Sequence, residues 1–147
     1  MKVSRDHAAG FTLTELVMVM AIATILAAFA VSRINVASFD TEGFANRAAA
    51  MVRYAQKLAI NQRRTVAVVI TGSNIQLCYT NIACNGGSVQ QPPGTTAFSF
   101  NAPSGVALGG SSFTYNALGR PSGGTSISVT GDIVRTITVE AETGYVH

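Results

Sequence analysis

The sequence has few charged residues and only two histidines, and both shortages exclude broad classes of function. Charged residues make up 12% of the 147 residues, against 48% hydrophobic residues, and the net charge is only +3. So small a positive balance gives little support for nucleic acid as a partner. His7 and His147 lie near opposite ends of the chain, which gives no basis for a metal centre or a catalytic triad. Neither a Walker phosphate loop nor a Gly-x-Ser-x-Gly motif is present. We therefore expect no enzyme activity, no cofactor and no metal site.

Cysteine is also scarce. Cys78 and Cys84 are the only two, and their spacing is not that of a Cys-x-x-Cys redox motif. In an exported chain an even count favours one disulfide. The alternative is a pair of free, buried thiols.

A long apolar run stands near the N-terminus. Phe11 to Val31 is 21 residues long and contains one charge, Glu15. A helix of that length covers about 30 Å, roughly the hydrocarbon thickness of a bilayer. Lys2 and Arg5 precede it, and basic flanks stay on the cytoplasmic side. The run predicts a transmembrane helix, with the rest of the chain outside the cytoplasm.

Three kinds of N-terminal segment fit this hydrophobicity. The first is a cleaved secretory signal peptide, because Ala28-Phe29-Ala30 resembles a small-x-small cleavage site; it would release a secreted binding module. The second is a single-span anchor that is never processed. The third is a short leader that is cut between Gly10 and Phe11.

Glu15 discriminates between them. An ionised carboxylate within the apolar core costs roughly 2.5 to 3.5 kcal/mol, and a plain anchor or a disposable signal peptide gains nothing from it. Cleavage before Phe11 would create an α-amino group four residues away. That cation could pair with Glu15 in its own chain, or with Glu15 of a neighbouring subunit and so fix the stagger between packed helices.

The junction from Ala9 to Leu16 reads AGFTLTEL and resembles the class III leader junction of type IV pilins and type II secretion pseudopilins. The resemblance implies that a prepilin peptidase cleaves after Gly10 and methylates Phe11. It places Glu15 where that family has its intramembrane glutamate. Many major pilins have a proline midway along this helix, and this chain has Ser32 near that point, which argues against a major pilin.

A second helical pattern follows. Small apolar residues recur at helical spacing and define one face: Ala45, Ala48, Val52, Ala55 and Ala59. Four basic residues lie away from this stripe: Arg47, Arg53, Lys57 and Arg63. We interpret them as a solvated helix face rather than a DNA-binding one. Gly43 predicts a kink or a break between two helical pieces.

The helical spacing of apolar residues ends near Thr65, and Gly, Ser, Thr and Asn become frequent after it. A hairpin is predicted around Thr71-Gly72-Ser73-Asn74. The candidate strands are Thr65–Ile70, Ile75–Tyr79, Ala97–Asn101, Ser112–Asn116, Thr125–Thr130 and Arg135–Glu140. Short strands with Gly-rich turns predict an antiparallel sheet or a small sandwich.

Two short motifs near the C-terminus, 116–121 and 142–146, resemble the GspH/FimT group of minor pilins and pseudopilins, and the minor pilins of mannose-sensitive haemagglutinin pili. Turn geometry explains most of their residues. For Arg120 three roles stay open: capping carbonyl groups, binding an acidic neighbour, or touching DNA.

The combined prediction is a pilin-like α+β fold, with a long N-terminal transmembrane and amphipathic helix packed on a C-terminal antiparallel β-sheet domain. Its segments are a leader (1–10), a transmembrane helix (11–31), a periplasmic amphipathic helix (32–64) and a β-rich domain (65–147).

The expected partners are the prepilin peptidase and methyltransferase, other pilins or pseudopilins, and inner-membrane lipid. The expected location is the bacterial inner membrane, with the C-terminal domain in the periplasm. The alternative function is a DNA-binding minor pilin for DNA uptake.

Overall fold

The computed structural model describes residues 11–31 and 36–147. Gly10 and the predicted leader therefore lie outside the described residues, as does Ser32. The chain divides into two compact units, Met1–Asn35 and Val36–His147, and each is described by itself.

The first unit contains one described helix, α1, from Leu13 to Val31. Its apolar, β-branched and small residues follow one another without an amphipathic pattern, and the window Leu13–Ala30 has a mean hydropathy of 2.2. This helix is long and apolar enough to cross a bilayer.

The second unit combines one helix with two antiparallel sheets. Helix α2 runs from Val36 to Gln62. The strands are β1 (Val66–Thr71), β2 (Asn74–Tyr79), β3 (Ser99–Asn101), β4 (Ala107–Gly109), β5 (Phe113–Tyr115), β6 (Thr125–Thr130) and β7 (Val134–Val139). The four-stranded sheet has the order β3-β2-β1-β5, and the three-stranded sheet has the order β4-β6-β7. The two sheets and α2 share one hydrophobic core.

The apolar stripe predicted for the second helix is confirmed. Ala48, Val52, Ala55 and Ala59 are fully buried and Ala45 nearly so, while the basic residues off the stripe are exposed. The alanines leave little side-chain bulk between helix and sheet, so α2 can pack closely on strands from both sheets. The break predicted at Gly43 is wrong, because α2 continues through that residue. A single glycine costs a helix only about 1 kcal/mol, and the packing of the stripe outweighs that.

The predicted hairpin forms, with Thr71 paired to Asn74 in the antiparallel register of β1 and β2. Strand β6 has the predicted bounds, and most others differ from prediction by one or two residues at an end. Strand β4 was not predicted. It is three residues long and ends at Gly109, so its extended backbone depends on pairing with β6 rather than on local sequence.

Candidate functional site

The N-terminal turn of α1 carries the predicted processing and assembly residues that the structure describes. Thr12 caps the helix: its side-chain oxygen accepts the Glu15 backbone N–H at 3.3 Å, and its carbonyl accepts the Leu16 N–H at 3.1 Å. Glu15 is thus the third residue of α1. A carboxylate in the first turn interacts favourably with the positive end of the helix dipole. This position makes a charge there less costly than one at mid-helix.

Helix α1 is exposed on all sides. Every residue from Phe11 to Ala30 is exposed, and Phe11 itself retains 80% of its accessible surface. Soluble proteins rarely leave so large an apolar surface in water, and such surfaces mark contact with a membrane or another protein. The helix therefore requires lipid or other protein chains around it.

The two cysteines are joined by a disulfide, Cys78–Cys84, with Cα atoms 5.1 Å apart. Cys78 is at the buried end of β2, and Cys84 belongs to the connection between β2 and β3. The bond fixes the start of that long connection to the sheet. Backbone hydrogen bonds from Tyr79 to Gly87 (2.9 Å) and from Val89 to Leu77 (2.9 Å) extend the attachment.

Arg120 binds an acidic neighbour and caps a carbonyl group. Its Nε donates to the Glu142 backbone carbonyl at 3.1 Å, and its guanidinium lies 2.7 Å from the Glu142 carboxylate. Both side chains are largely exposed, so the ion pair contributes about 1 kcal/mol or less. Arg135 is paired in the same way with Glu42, at 2.6 Å. Both arginines of the C-terminal half therefore have a carboxylate partner within the chain.

The two C-terminal motifs contact each other across the edge of α2. The Gln56 side chain donates to the carbonyls of Gly119 (3.0 Å) and Thr143 (2.7 Å), one in each motif. Tyr115 donates its hydroxyl to the Gly144 carbonyl at 3.3 Å, and burial raises the pKa of that phenol. Gly119 and Gly144 both have positive φ, 78° and 68°, which glycine adopts without strain. These hydrogen bonds thus hold the two motifs together at the end of the domain, beside α2.

Sequence reasoning missed Gln56. Nothing in its immediate neighbourhood distinguishes it from other polar residues of α2, and its partners lie 63 and 87 residues further along the chain. One usable signal was its place beside the buried stripe, next to Ala55, where a polar side chain is half-buried and needs hydrogen-bond partners.

A protein-family model for the prokaryotic N-terminal methylation motif matches residues 5–31. The match covers the predicted leader junction, the Thr12 cap, Glu15 and the whole of α1. No curated protein sequence matches the chain.

Solved structures resemble the fold of about three quarters of the chain. The type IV minor pilin FimU of Pseudomonas aeruginosa superposes with a TM-score of 0.56 at 13% identity, over 75% of this chain and 88% of FimU. A second crystal form of FimU gives 0.54 at 16% identity, over 72% and 90%. The minor pseudopilin EpsH from the type 2 secretion system of Vibrio cholerae gives 0.56 at 14% identity, over 76% and 94%. At such low identity the likeness shows the fold.

The chain therefore carries a prokaryotic N-terminal methylation motif followed by an apolar helix, and its α+β domain places it in the pilin-like fold class. Within that class, its domain has the fold found in the minor pilin FimU and in the minor pseudopilin EpsH.

Proposed function

We propose that this chain is a minor pilin or pseudopilin subunit of a type IV pilus or a type II secretion pseudopilus. Prepilin peptidase would cleave it after Gly10, and the new N-terminal Phe11 would be methylated. The observation that carries the proposal is the methylation motif directly on a helix whose whole apolar surface is exposed. A subunit of this kind is a substrate of enzymes and has a structural role.

The exposed surface of α1 supports a subunit that resides first in the membrane and later in a fibre. In the membrane, lipid would cover the helix. In a fibre, apolar helices of neighbouring subunits would replace the lipid, so the apolar surface would stay out of water throughout. With Lys2 and Arg5 on the cytoplasmic side, residues 36–147 would lie in the periplasm, an oxidising compartment that suits the disulfide.

The Thr12 cap supports a specific arrangement of the mature N-terminus. Cleavage before Phe11 would leave one residue ahead of the cap, and the new ammonium group would lie at the same end of the helix as Glu15. Since the amine and the positive end of the helix dipole carry the same sign, the Glu15 carboxylate would offset both. In a fibre the carboxylate of one subunit would pair with the amine of the next.

The processing is tested by mass spectrometry of the full chain, purified from cells that express a prepilin peptidase. We expect a mature protein that begins with N-methylated Phe11. An intact Met1 would indicate an unprocessed anchor, and a chain that begins at Val31 would indicate a signal peptide; either result would contradict the proposal. A Gly10→Val variant is the control and should remain uncleaved.

A further inference from the structure

A row of aromatic rings follows one flank of α2 in the second unit. The Arg47 guanidinium lies over the Phe100 ring, 5.2 Å from its centroid. Phe100 packs edge to face on Phe98 at 5.5 Å, and Phe98 packs in the same way on Tyr54 of α2 at 5.2 Å. All three rings are half-buried, so each presents some surface to solvent.

A second arginine lies over another ring at the far end of the same flank. The Arg64 guanidinium is 3.8 Å from the centroid of the Tyr79 ring. Tyr54 and Tyr79 both line a cavity of about 570 Å³. Tyr54 also lines an adjoining cavity of about 420 Å³, together with Arg47. We call this continuous surface the arginine–aromatic cleft; it is defined by Arg47, Tyr54, Arg64, Tyr79, Phe98 and Phe100.

The two arginines make the cleft positively charged, and no ion pair among the described residues neutralises them. In the part of the chain that the structure describes, no aspartate or glutamate lines either cavity. Among the described residues, Arg47 and Arg64 form no ion pair, although Asp40 lines a third cavity beside Arg47. This contrasts with Arg120 and Arg135, which both have a carboxylate partner. A guanidinium that rests on a ring keeps the N–H groups along its edge available for bidentate binding of a carboxylate.

The outer wall of the cleft is held in place before any ligand arrives. Residues 86–94 of the β2–β3 connection form this wall, and the Cys78–Cys84 disulfide ties the connection to β2. A backbone hydrogen bond from Phe98 to Val89, at 2.7 Å, closes its other end. A preformed wall lowers the entropic cost of binding, because less of the chain must become ordered.

We propose that the arginine–aromatic cleft docks an extended acidic peptide segment of a partner protein, with apolar side chains in the cavities and carboxylates on Arg47 and Arg64. Between Arg47 and the end of α2 at Gln62 the helix rises roughly 22 Å, which an extended segment covers in about seven residues. The partner segment therefore carries acidic residues about that far apart, with aromatic or aliphatic residues between them.

The ring geometry favours a peptide over single-stranded nucleic acid. Bases bind to proteins by stacking on successive free ring faces. Here a guanidinium covers a face of Tyr79, and Phe98 and Phe100 pack edge to face at an interplanar angle of 82°, so that one of these two rings covers a face of the other. Apolar side chains of a peptide can use such half-buried ring edges, whereas flat bases cannot stack on them.

The test measures binding of a labelled ten-residue peptide, with Glu near each end and Tyr, Pro and Val between, to the full chain in lipid nanodiscs. A matched peptide has Gln in place of Glu. We expect the acidic peptide to bind and the Gln peptide to bind about tenfold more weakly or worse. Arg64→Gln should reduce binding of the acidic peptide by about tenfold, and Arg64→Lys should restore it in part, since it keeps the charge but loses the planar donor group.

Arg63→Gln is the control variant, because Arg63 is exposed and adjacent in sequence but does not line the cleft; it should bind normally. Equal binding of both peptides, or normal binding by Arg64→Gln, would overturn the proposal. So would tighter binding of a ten-nucleotide single strand at the same salt concentration, or displacement of the peptide by a second copy of the chain. The cleft lies wholly within residues 36–147, so the measurement gives its answer whether or not Phe11 is the mature N-terminus.

Discussion

The side-chain nitrogen of Gln56 lies 3.0 Å from the carbonyl oxygen of Gly119, and this one contact links α2 to a turn 63 residues further along the chain. The same nitrogen reaches the Thr143 carbonyl at 2.7 Å. A single amide thus satisfies two turn carbonyls that have no strand partner of their own. The end of the domain thus uses a helix side chain to hold together two turns that are distant in sequence.

Gln56→Ala should destabilise the second unit by about 1 to 3 kcal/mol, because it leaves the partly buried carbonyl of Gly119 and the exposed carbonyl of Thr143 without their donor. Urea unfolding of the full chain in detergent, followed by circular dichroism, measures the change. Gln62→Ala is the matched control on the same helix, since Gln62 is exposed. Equal midpoints for the two variants would show that the turns are held by their own backbone hydrogen bonds.

Gly144→Ala should be more damaging. Gly144 has φ of 68°, and an added Cβ would lie 2.5 Å from the Gly119 carbonyl oxygen and 2.6 Å from the Gln56 nitrogen. Strain and crowding together predict a loss of about 2 to 4 kcal/mol in the free energy of unfolding.

Gly123→Ala is the comparison for this variant, since an added Cβ there meets no heavy atom within 4 Å. It should change the free energy of unfolding by no more than about 0.5 kcal/mol. Equal free energies of unfolding for the Gly144 and Gly123 variants would contradict a close contact between the two motifs.

The parts of the fold that were predicted from sequence are those with a local signal. The buried face of α2 follows from a 3.6-residue spacing that places Val52 and Ala55 on one side. Strand β6 follows from the alternation in TSISVT, whose Ile127 and Val129 are buried. The leader junction and the role of Glu15 stay predictions, and they could be made because the residues that carry them are contiguous, within the stretch that the methylation-motif model matches.

The parts that were missed depend on contacts between distant segments. Strand β4 exists because Ala107 to Gly109 pair with β6 some twenty residues later. The arginine–aromatic cleft joins Tyr54 on α2, Tyr79 on β2 and Phe98 before β3. No periodicity in the chain indicates that these three rings lie along one surface. Charge pattern alone suggested a solvated face for Arg47, and only the structure shows the ring beneath it.

Loss of the disulfide should destabilise the second unit moderately. The loop between Cys78 and Cys84 is short, with a sequence separation of 6, so the chain-entropy model gives about 2 kcal/mol. We expect the double variant Cys78→Ser, Cys84→Ser to unfold at a lower urea concentration by that amount. Dithiothreitol should lower the midpoint of the native chain in the same way and leave the double variant unchanged. If neither the double substitution nor dithiothreitol lowered the urea midpoint, the backbone hydrogen bonds of residues 77–89 would suffice to hold this connection.

Glu15→Gln separates processing from assembly. The substitution keeps the Thr12 cap, which uses the backbone N–H of residue 15, so α1 should still begin at Leu13 and cleavage before Phe11 should proceed. It removes the carboxylate, and the mature amine would then enter the apolar helix bundle without a counter-charge, which is strongly unfavourable. We expect mature, methylated protein in the membrane in normal amounts, with incorporation into fibres reduced by at least about tenfold.

Thr14→Ala changes the neighbouring residue without altering charge and should assemble normally. Quantitative mass spectrometry of sheared fibres against the membrane fraction measures both variants, and normal incorporation of the Gln variant would rule out the ion pair as the contact that aligns the subunits.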